Sequence, residues 1–308
     1  MMEIRIIGTE SLGVRGLSCV VKIPGHRIVI DPGIALGYNR HGLLPHPFQV
    51  AVGDRIRKEI IKELSIATDV VFSHYHGDHV PLANANPYQL SLKKVIPVLH
   101  NPSFWCKGGD GLTRTMKQRY KDLCSAFGKE LPDVESSDNG YMSFSALVPH
   151  GEANRGTVMM TRIKDKNKVF VHASDIQLFD NKVIDIITAW HPDIVLASGP
   201  PVYLFHRFSP MQREAAWRNG LQLARNVKTL ILDHHLMRSE TGEKWLYELS
   251  KETSNSVICA ADFMKRPRLL LEAKRRLLYR EMPVPDNWHK DYAMRFEEVG
   301  QNCNCMFD

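Results

Sequence analysis

The stretch Asp69-Val70-Val71-Phe72-Ser73-His74-Tyr75-His76-Gly77-Asp78-His79 decides how the chain is read. Asp69 to Phe72 is an apolar run of strand length, and it leads directly into three histidines and an aspartate within six residues. Imidazole and carboxylate are ligands for first-row metals. In extended or looping backbone, residues two apart point the same way, so His74 and His76 can grip one ion. Asp78 and His79 point elsewhere and can serve a second ion. A His-Glu-x-x-His helix works differently, because a spacing of four sets both histidines over one metal.

Outward from this stretch the pattern alternates between strands and helices. On the N-terminal side, Ile4 to Ile7, Leu17 to Ile23 and Arg27 to Ile30 read as short strands, with Gly13 to Gly16 and Pro24-Gly25 as turns. An irregular segment from Leu36 to Gly53 is too long for a simple connection and is a candidate lid, with His41 and His46 in reach of a site. Asp54 then reads as the N-cap of a helix to about Ile66. On the C-terminal side the expectation is a strand at Val95 to Leu99, a helix from Thr113 to Phe127 closed by Gly128, and a strand from Ser143 to Val148 ending at His150.

A hairpin follows, with Val158 to Ile163 and Val169 to His172 joined across Lys164 to Asn167. Helices at Val183 to Ala189, Ser209-Pro210 to Asn226 and Glu243 to Thr253 then alternate with strands at Ile194 to Ala197, Thr229 to Leu232 and Val257 to Ala260. From about residue 262 a helical extension interleaves leucines with Lys274, Arg275, Arg276 and Arg280, which reads as an amphipathic helix with a solvated basic face. No repeat or Pro/Ser-rich linker divides the 308 residues, so one domain is expected.

With 44% hydrophobic and 24% charged residues, the composition is that of a globular protein, and it excludes disordered, collagenous and coiled-coil classes. The longest apolar runs are strand-sized, so no membrane partner is expected, and without a basic, apolar leader the expected location is the cytoplasm. The cysteines at 19, 106, 124, 259, 303 and 305 share no spacing and read as free thiols, with Cys303 and Cys305 in a solvated tail. A net charge of +6 suits a small anionic substrate without demanding nucleic acid. A homo-oligomer stays open.

The loop after a buried strand resembles the hallmark HxHxDH of the metallo-β-lactamase-fold hydrolase superfamily. Within it the pattern is similar to a small archaeal family of metal-dependent hydrolases with no settled substrate. The resemblance implies an α/β fold: a four-layer αβ/βα sandwich of two mixed sheets with helices on the outer faces. It also implies the remaining site. Asp31, in Val29-Ile30-Asp31-Pro32-Gly33, matches an aspartate that supports the ligand loop. His150 matches the third histidine of the first metal, and Asp175 the bridging carboxylate. The last histidine falls in Leu232-Asp233-His234-His235, where the register of related nucleases selects His234, leaving His235 to orient it or to hold substrate.

The implied ligand set is therefore His74, His76, Asp78, His79, His150, Asp175 and His234, with Asp78 and His235 as catalytic residues. Two divalent ions, zinc before manganese or iron, would hold a bridging water whose pKa falls toward neutrality. Hydroxide would attack, and His235 or His172 would supply a proton. The expected function is hydrolysis of a small phosphodiester; a lactone, thioester or amide is the alternative, and a ribonuclease the second alternative. An electron-transfer di-iron protein of the same fold ranks lower, because those proteins usually work with a flavodoxin-like domain. Only 25 residues separate His150 from Asp175 and 59 separate Asp175 from His234, too few for a transfer-RNA-gripping arm or a cap domain. Ser198 to Tyr203, with Tyr203 and Arg207, offers a cradle for an anion.

Overall fold

The computed structural model describes residues 1–151 and 156–302. Cys303 and Cys305 lie outside the described residues; the other four cysteines are free thiols.

The first sheet contains β1 (Glu3–Gly8), β2 (Ser18–Ile23), β3 (His26–Ile30), β4 (Asp69–Phe72) and β5 (Ser103–Cys106) in that order. Its first three strands are antiparallel neighbours, whereas β3, β4 and β5 run parallel. The second sheet has the order β13 (Ser256–Ile258), β12 (Thr229–Leu232), β11 (Ile194–Ala197), β10 (Lys168–His172), β9 (Thr161–Asp165) and β6 (Met142–Phe144). It is parallel from β13 to β10 and antiparallel beyond. A two-stranded ribbon pairs β7 (Val148–Pro149) with β8 (Thr157–Val158).

Alternation along the first sheet sorts its side chains into two cores. Cys19, Val21, Ile28 and Ile30 join Phe170, Leu196 and Ile231 of the second sheet in one core. Val20, Val29, Val70 and Phe72 point the other way and meet Ile56 and Ile60 of α1 (Pro47–Leu64) and Leu123 of α3 (Arg114–Phe127). The outer face of the second sheet is covered by α4 (Asn181–Ala189), α5 (Pro210–Asn226) and α6 (Glu240–Lys251), through Ile184, Leu223 and Leu246. The result is the expected layering of helices, mixed sheet, mixed sheet and helices.

Several elements match their sequence signals. Thr113 caps α3 by accepting from the Met116 amide, and Gly128 ends it at φ +63°. Ser209 and Gln212 form a capping box at the start of α5. Others differ. Val95 to Leu99 is not a strand: α2 (Leu92–Val95) and a 3-10 turn through Val98 occupy it, because Pro97 denies the ladder a donor. The helix expected from Asp54 begins earlier, at Pro47, with the His46 ring accepting from the Phe48 amide. The last seven residues of the supposed lid are therefore helix, and His46 is a cap that also bonds Met282 O at 2.8 Å, not a flap residue.

The C-terminal elements are α7 (Ala260–Phe263), α8 (Arg275–Glu281) and α9 (Trp288–Asn302), and α8 straps the irregular remainder down through Arg275 and Tyr279, whose hydroxyl donates to Leu44 O at 3.2 Å. Arg275, expected on a solvated basic face, is fully buried. It donates to Gly37 O at 2.7 Å, Leu43 O at 3.0 Å and Gln49 Oε1 at 2.9 Å. The sequence could not separate it from Arg276, which is exposed. No helix among the described residues is long and apolar enough to cross a membrane.

Candidate metal centre

The site lies where strands of both sheets end. Asp31 follows β3, Ser73-His74 follows β4, His150 follows β7, Ser174-Asp175 follows β10, and Asp233-His234 follows β12. Parallel strands carry their C-terminal ends to one edge, where α/β proteins bind ligands. Three non-glycine residues there adopt positive φ: Asp31 (+47°), Ser174 (+57°) and His234 (+24°). Such backbone costs free energy and concentrates at functional sites. Two glycines let the loops close. A Cβ on Gly33 would collide with the backbone of His79 and Val80, and one on Gly16 would sit 2.7 Å from Asp78 O.

The carboxylate of Asp175 organises the centre. Its Oδ2 is 2.9 Å from His150 Nε2 and 3.7 Å from His74 Nε2, and His74 Nε2 lies 3.0 Å from His76 Nδ1. Its Oδ1 is 3.3 Å from His79 Nε2 and 3.6 Å from His234 Nε2, while His234 Nε2 lies 3.4 Å from Asp78 Oδ2. Four overlapping cation-sized groups result among the described residues: His74, His76, His150 and Asp175; Asp78, His79 and His234; Asp31, His74 and His79; and Asp175, His234 and His235. The first two share no residue and match the expected ligand sets. His79 Nε2 and Asp175 Oδ1 are buried without a hydrogen-bond partner, a costly arrangement that a cation between them would relieve. The donors are oxygen and nitrogen only, which suits first-row divalent ions. The residues present fit two metal ions.

A second layer orients these groups. Asp31 accepts from the Ser73 amide at 2.8 Å, Ser73 Oγ at 2.6 Å and His79 Nδ1 at 2.9 Å. Ser73 Oγ also meets His74 Nδ1 at 2.9 Å and Ser174 Oγ at 2.7 Å. Both histidines thus turn Nε2 toward Asp175, and Asp31 acts as the expected support. Asp233, buried, accepts from Thr9 Oγ1, Ser11 N, His234 N and Ala260 N within 2.9 Å. It ties the β1–β2 connection and α7 to the turn that carries His234. Ser73, Ser174 and Asp233 carry no motif of their own, although each directly precedes a candidate ligand.

Burial, reinforced by the charges of His79 and His76, pushes His74 well below the usual imidazole range. Burial likewise holds His76 and His235 near 4. Neutral imidazole is the ligating form. Burial alone would raise Asp175, but His79, His234 and His235 overcome it and keep the carboxylate ionised. His79 is the exception: despite burial, Asp175 and Asp31 raise it and hold a proton that a cation would displace.

His235 stands beside this set, with Nε2 at 3.3 Å from Asp175 Oδ2 and both ring nitrogens unpartnered. His172 is excluded as the proton donor, because its Nε2 faces Leu17 O at 2.9 Å deep in the core. The anion cradle is also redrawn: Arg207 is exposed, and Tyr203 pairs instead with Arg238, whose Nη1 donates to its hydroxyl at 3.3 Å.

Relatives of this chain include a UPF0282 protein of Methanosarcina mazei, 47% identical over 293 residues, covering 94% of this chain and 96% of the relative. The chain belongs to the UPF0282 family. A second member, from Sulfolobus acidocaldarius, is 33% identical over 297 residues, covering 90% of this chain and 93% of its own. No family model matches the UPF0282 chain. Among solved structures, the metallo-β-lactamase fold protein YhfI of Bacillus subtilis superposes with a TM-score of 0.51 over 84% of this chain and 96% of its own, at 14% identity. That likeness establishes the metallo-β-lactamase fold.

Proposed function

We propose that this UPF0282 protein is a binuclear metal-dependent hydrolase of a small phosphodiester. The observation that carries the proposal is the division of the Asp175 carboxylate, one oxygen facing each ligand group, with unpartnered buried atoms between them. Bound divalent ions, zinc in this reading, supply Lewis acidity and bring the pKa of water toward neutrality. His74, His76 and His150 would hold one, Asp78, His79 and His234 the other, and Asp175 both.

The protein's own groups position and move the proton. His235, neutral at rest through burial, takes a proton from the attacking water and passes it to the leaving oxygen as the phosphorus–oxygen bond breaks. Asp175, 3.3 Å away, orients that ring and stabilises its charged form. Two divalent ions outweigh the charges of Asp31, Asp78 and Asp175, which favours an anionic substrate over a neutral one. The free thiols suit a reducing compartment, and the cytoplasm is the proposed location.

The test is metal analysis of the purified protein, with turnover of bis-p-nitrophenyl phosphate, a lactone and a thioester compared in parallel. The expected result is close to two ions per chain and metal-dependent turnover of the phosphodiester. Trace metal after reconstitution of folded protein would refute the proposal, and preference for the lactone or thioester would reassign the substrate.

A further inference from the structure

A buried cation beside the second ligand group has no role in the chemistry above. Arg238, on the single turn after His235, is 6% exposed. Its Nη2 lies 3.2 Å from His234 Nε2, the atom that also faces Asp78 and Asp175. Its Nε is buried without a hydrogen-bond partner, and the nearest oxygen of Glu10 stands off at 3.6 Å. Glu272 is not available to it either, being held by Arg15 through contacts of 2.7 and 2.5 Å. A guanidinium carries five N–H donors, and the 3.6 Å ion pair with Glu10 balances the charge of Arg238 while leaving its Nε without a hydrogen bond.

Two neighbours extend the same positive rim. The Tyr203 hydroxyl accepts from Arg238 and keeps its own proton to donate. Arg40, from the strapped segment, places its guanidinium 4.9 Å from the Tyr203 ring centroid and donates to Arg238 O at 3.3 Å. An oxyanion drawn toward the Asp78, His79 and His234 group would therefore meet the Arg238 fork and the Tyr203 hydroxyl together. Planar guanidinium matches the oxygens of a phosphoryl group better than a point charge does.

We propose that Arg238 and Tyr203 form a phosphoryl clamp that holds a non-bridging oxygen of the substrate and gives the centre its preference for phosphate esters. The clamp rests on the hydrolase proposed above, and it fails or stands separately. The experiment measures inorganic phosphate binding by calorimetry on metal-supplemented wild type, R238K, R238Q and Y203F, with metal content and melting temperature recorded for each. Loss of a charge-assisted hydrogen-bond pair predicts roughly ten- to hundredfold weaker phosphate binding in R238Q, with smaller losses in R238K and Y203F at unchanged metal content. KM for a phosphodiester should rise in Y203F. Wild-type phosphate affinity in R238K and Y203F would overturn the clamp even if R238Q failed to fold. A two-metal wild type that turns over a lactone yet binds no phosphate would refute the clamp and leave the hydrolase standing. Phosphate binding that depends on Arg238 in a protein holding no metal would do the reverse.

Discussion

His234 and His235 are adjacent in the chain yet meet Asp175 through different oxygens, Oδ1 at 3.6 Å and Oδ2 at 3.3 Å. Their replacement should separate two functions. His234→Ala should lose the second ion and keep the first, as should Asp78→Ala. His235→Ala should keep both ions and lower kcat by roughly 10²- to 10⁴-fold, the usual contribution of a positioned proton-transfer group. Metal analysis with steady-state kinetics checks both, and the opposite order would reverse the roles. The ions should also bind unequally. The Gly16 amide faces His234 Nδ1 at 3.1 Å and Arg238 Nη2 faces His234 Nε2 at 3.2 Å, so a metal at Nε2 must compete with an N–H group already directed at that atom. The Arg238 cation beside the same atom repels a metal further. Titration of stripped protein should show a first ion bound at least tenfold more tightly than the second; two equivalent sites would contradict this.

At the scale of elements, the strap between α8 and the Gly37 to Gln49 segment depends on Arg275. Arg275→Gln would leave buried carbonyls without donors, and a loss of about 2–4 kcal/mol is expected from such groups, read as a lower melting temperature. Amide exchange should accelerate in residues 37–46 before it does in β3 or β4; uniform acceleration would show that the strap is not local. The base of the first sheet has its own electrostatic lock. Asp69 accepts from Thr68 Oγ1, His26 Nδ1, Trp105 Nε1 and the Tyr141 hydroxyl within 2.9 Å. Burial opposes ionisation, but these donors win and hold the carboxyl below its ordinary range. A depressed folded pKa adds stability above the unfolded value, near 3.9, that disappears as pH falls through the folded one. Asp69→Asn should therefore cost more stability at pH 6 than in acid below the folded pKa, as measured by denaturant unfolding; an equal loss at both would deny the ionic contribution.

For the molecule as a whole, the ligand groups draw on both sheets, with Asp78 and His79 from the first and Asp175 and His234 from the second. Bound ions should therefore stabilise the packing of one sheet on the other by mass action. Removing them with a chelator should lower the melting temperature and abolish turnover, and restoring them should recover both. An unchanged melting temperature in protein shown to lose its ions would mean that the sheets close without them.

Local order settled much of this molecule before any folding was considered. The run from Asp69 to His79 carries a buried strand and four candidate ligands, with His74 and His76 two apart and so able to face the same way, because alternation in extended chain is a property of the backbone itself. The helix α5 follows from its Ser209-Pro210 start, and the strands of the second half from short apolar runs. Other features have no local signal. Whether Arg275 or Arg276 is buried, that Pro47 rather than Asp54 begins α1, and that Val95 to Leu99 is not a strand all depend on what packs against each segment. The convergence of Ser73, Ser174 and Asp233 behind the ligands, and of Arg238 with Tyr203 and Arg40 beside them, joins residues from separate parts of the chain. Distances between such residues are set by the closure of two sheets on one another, so only the tertiary structure decides them.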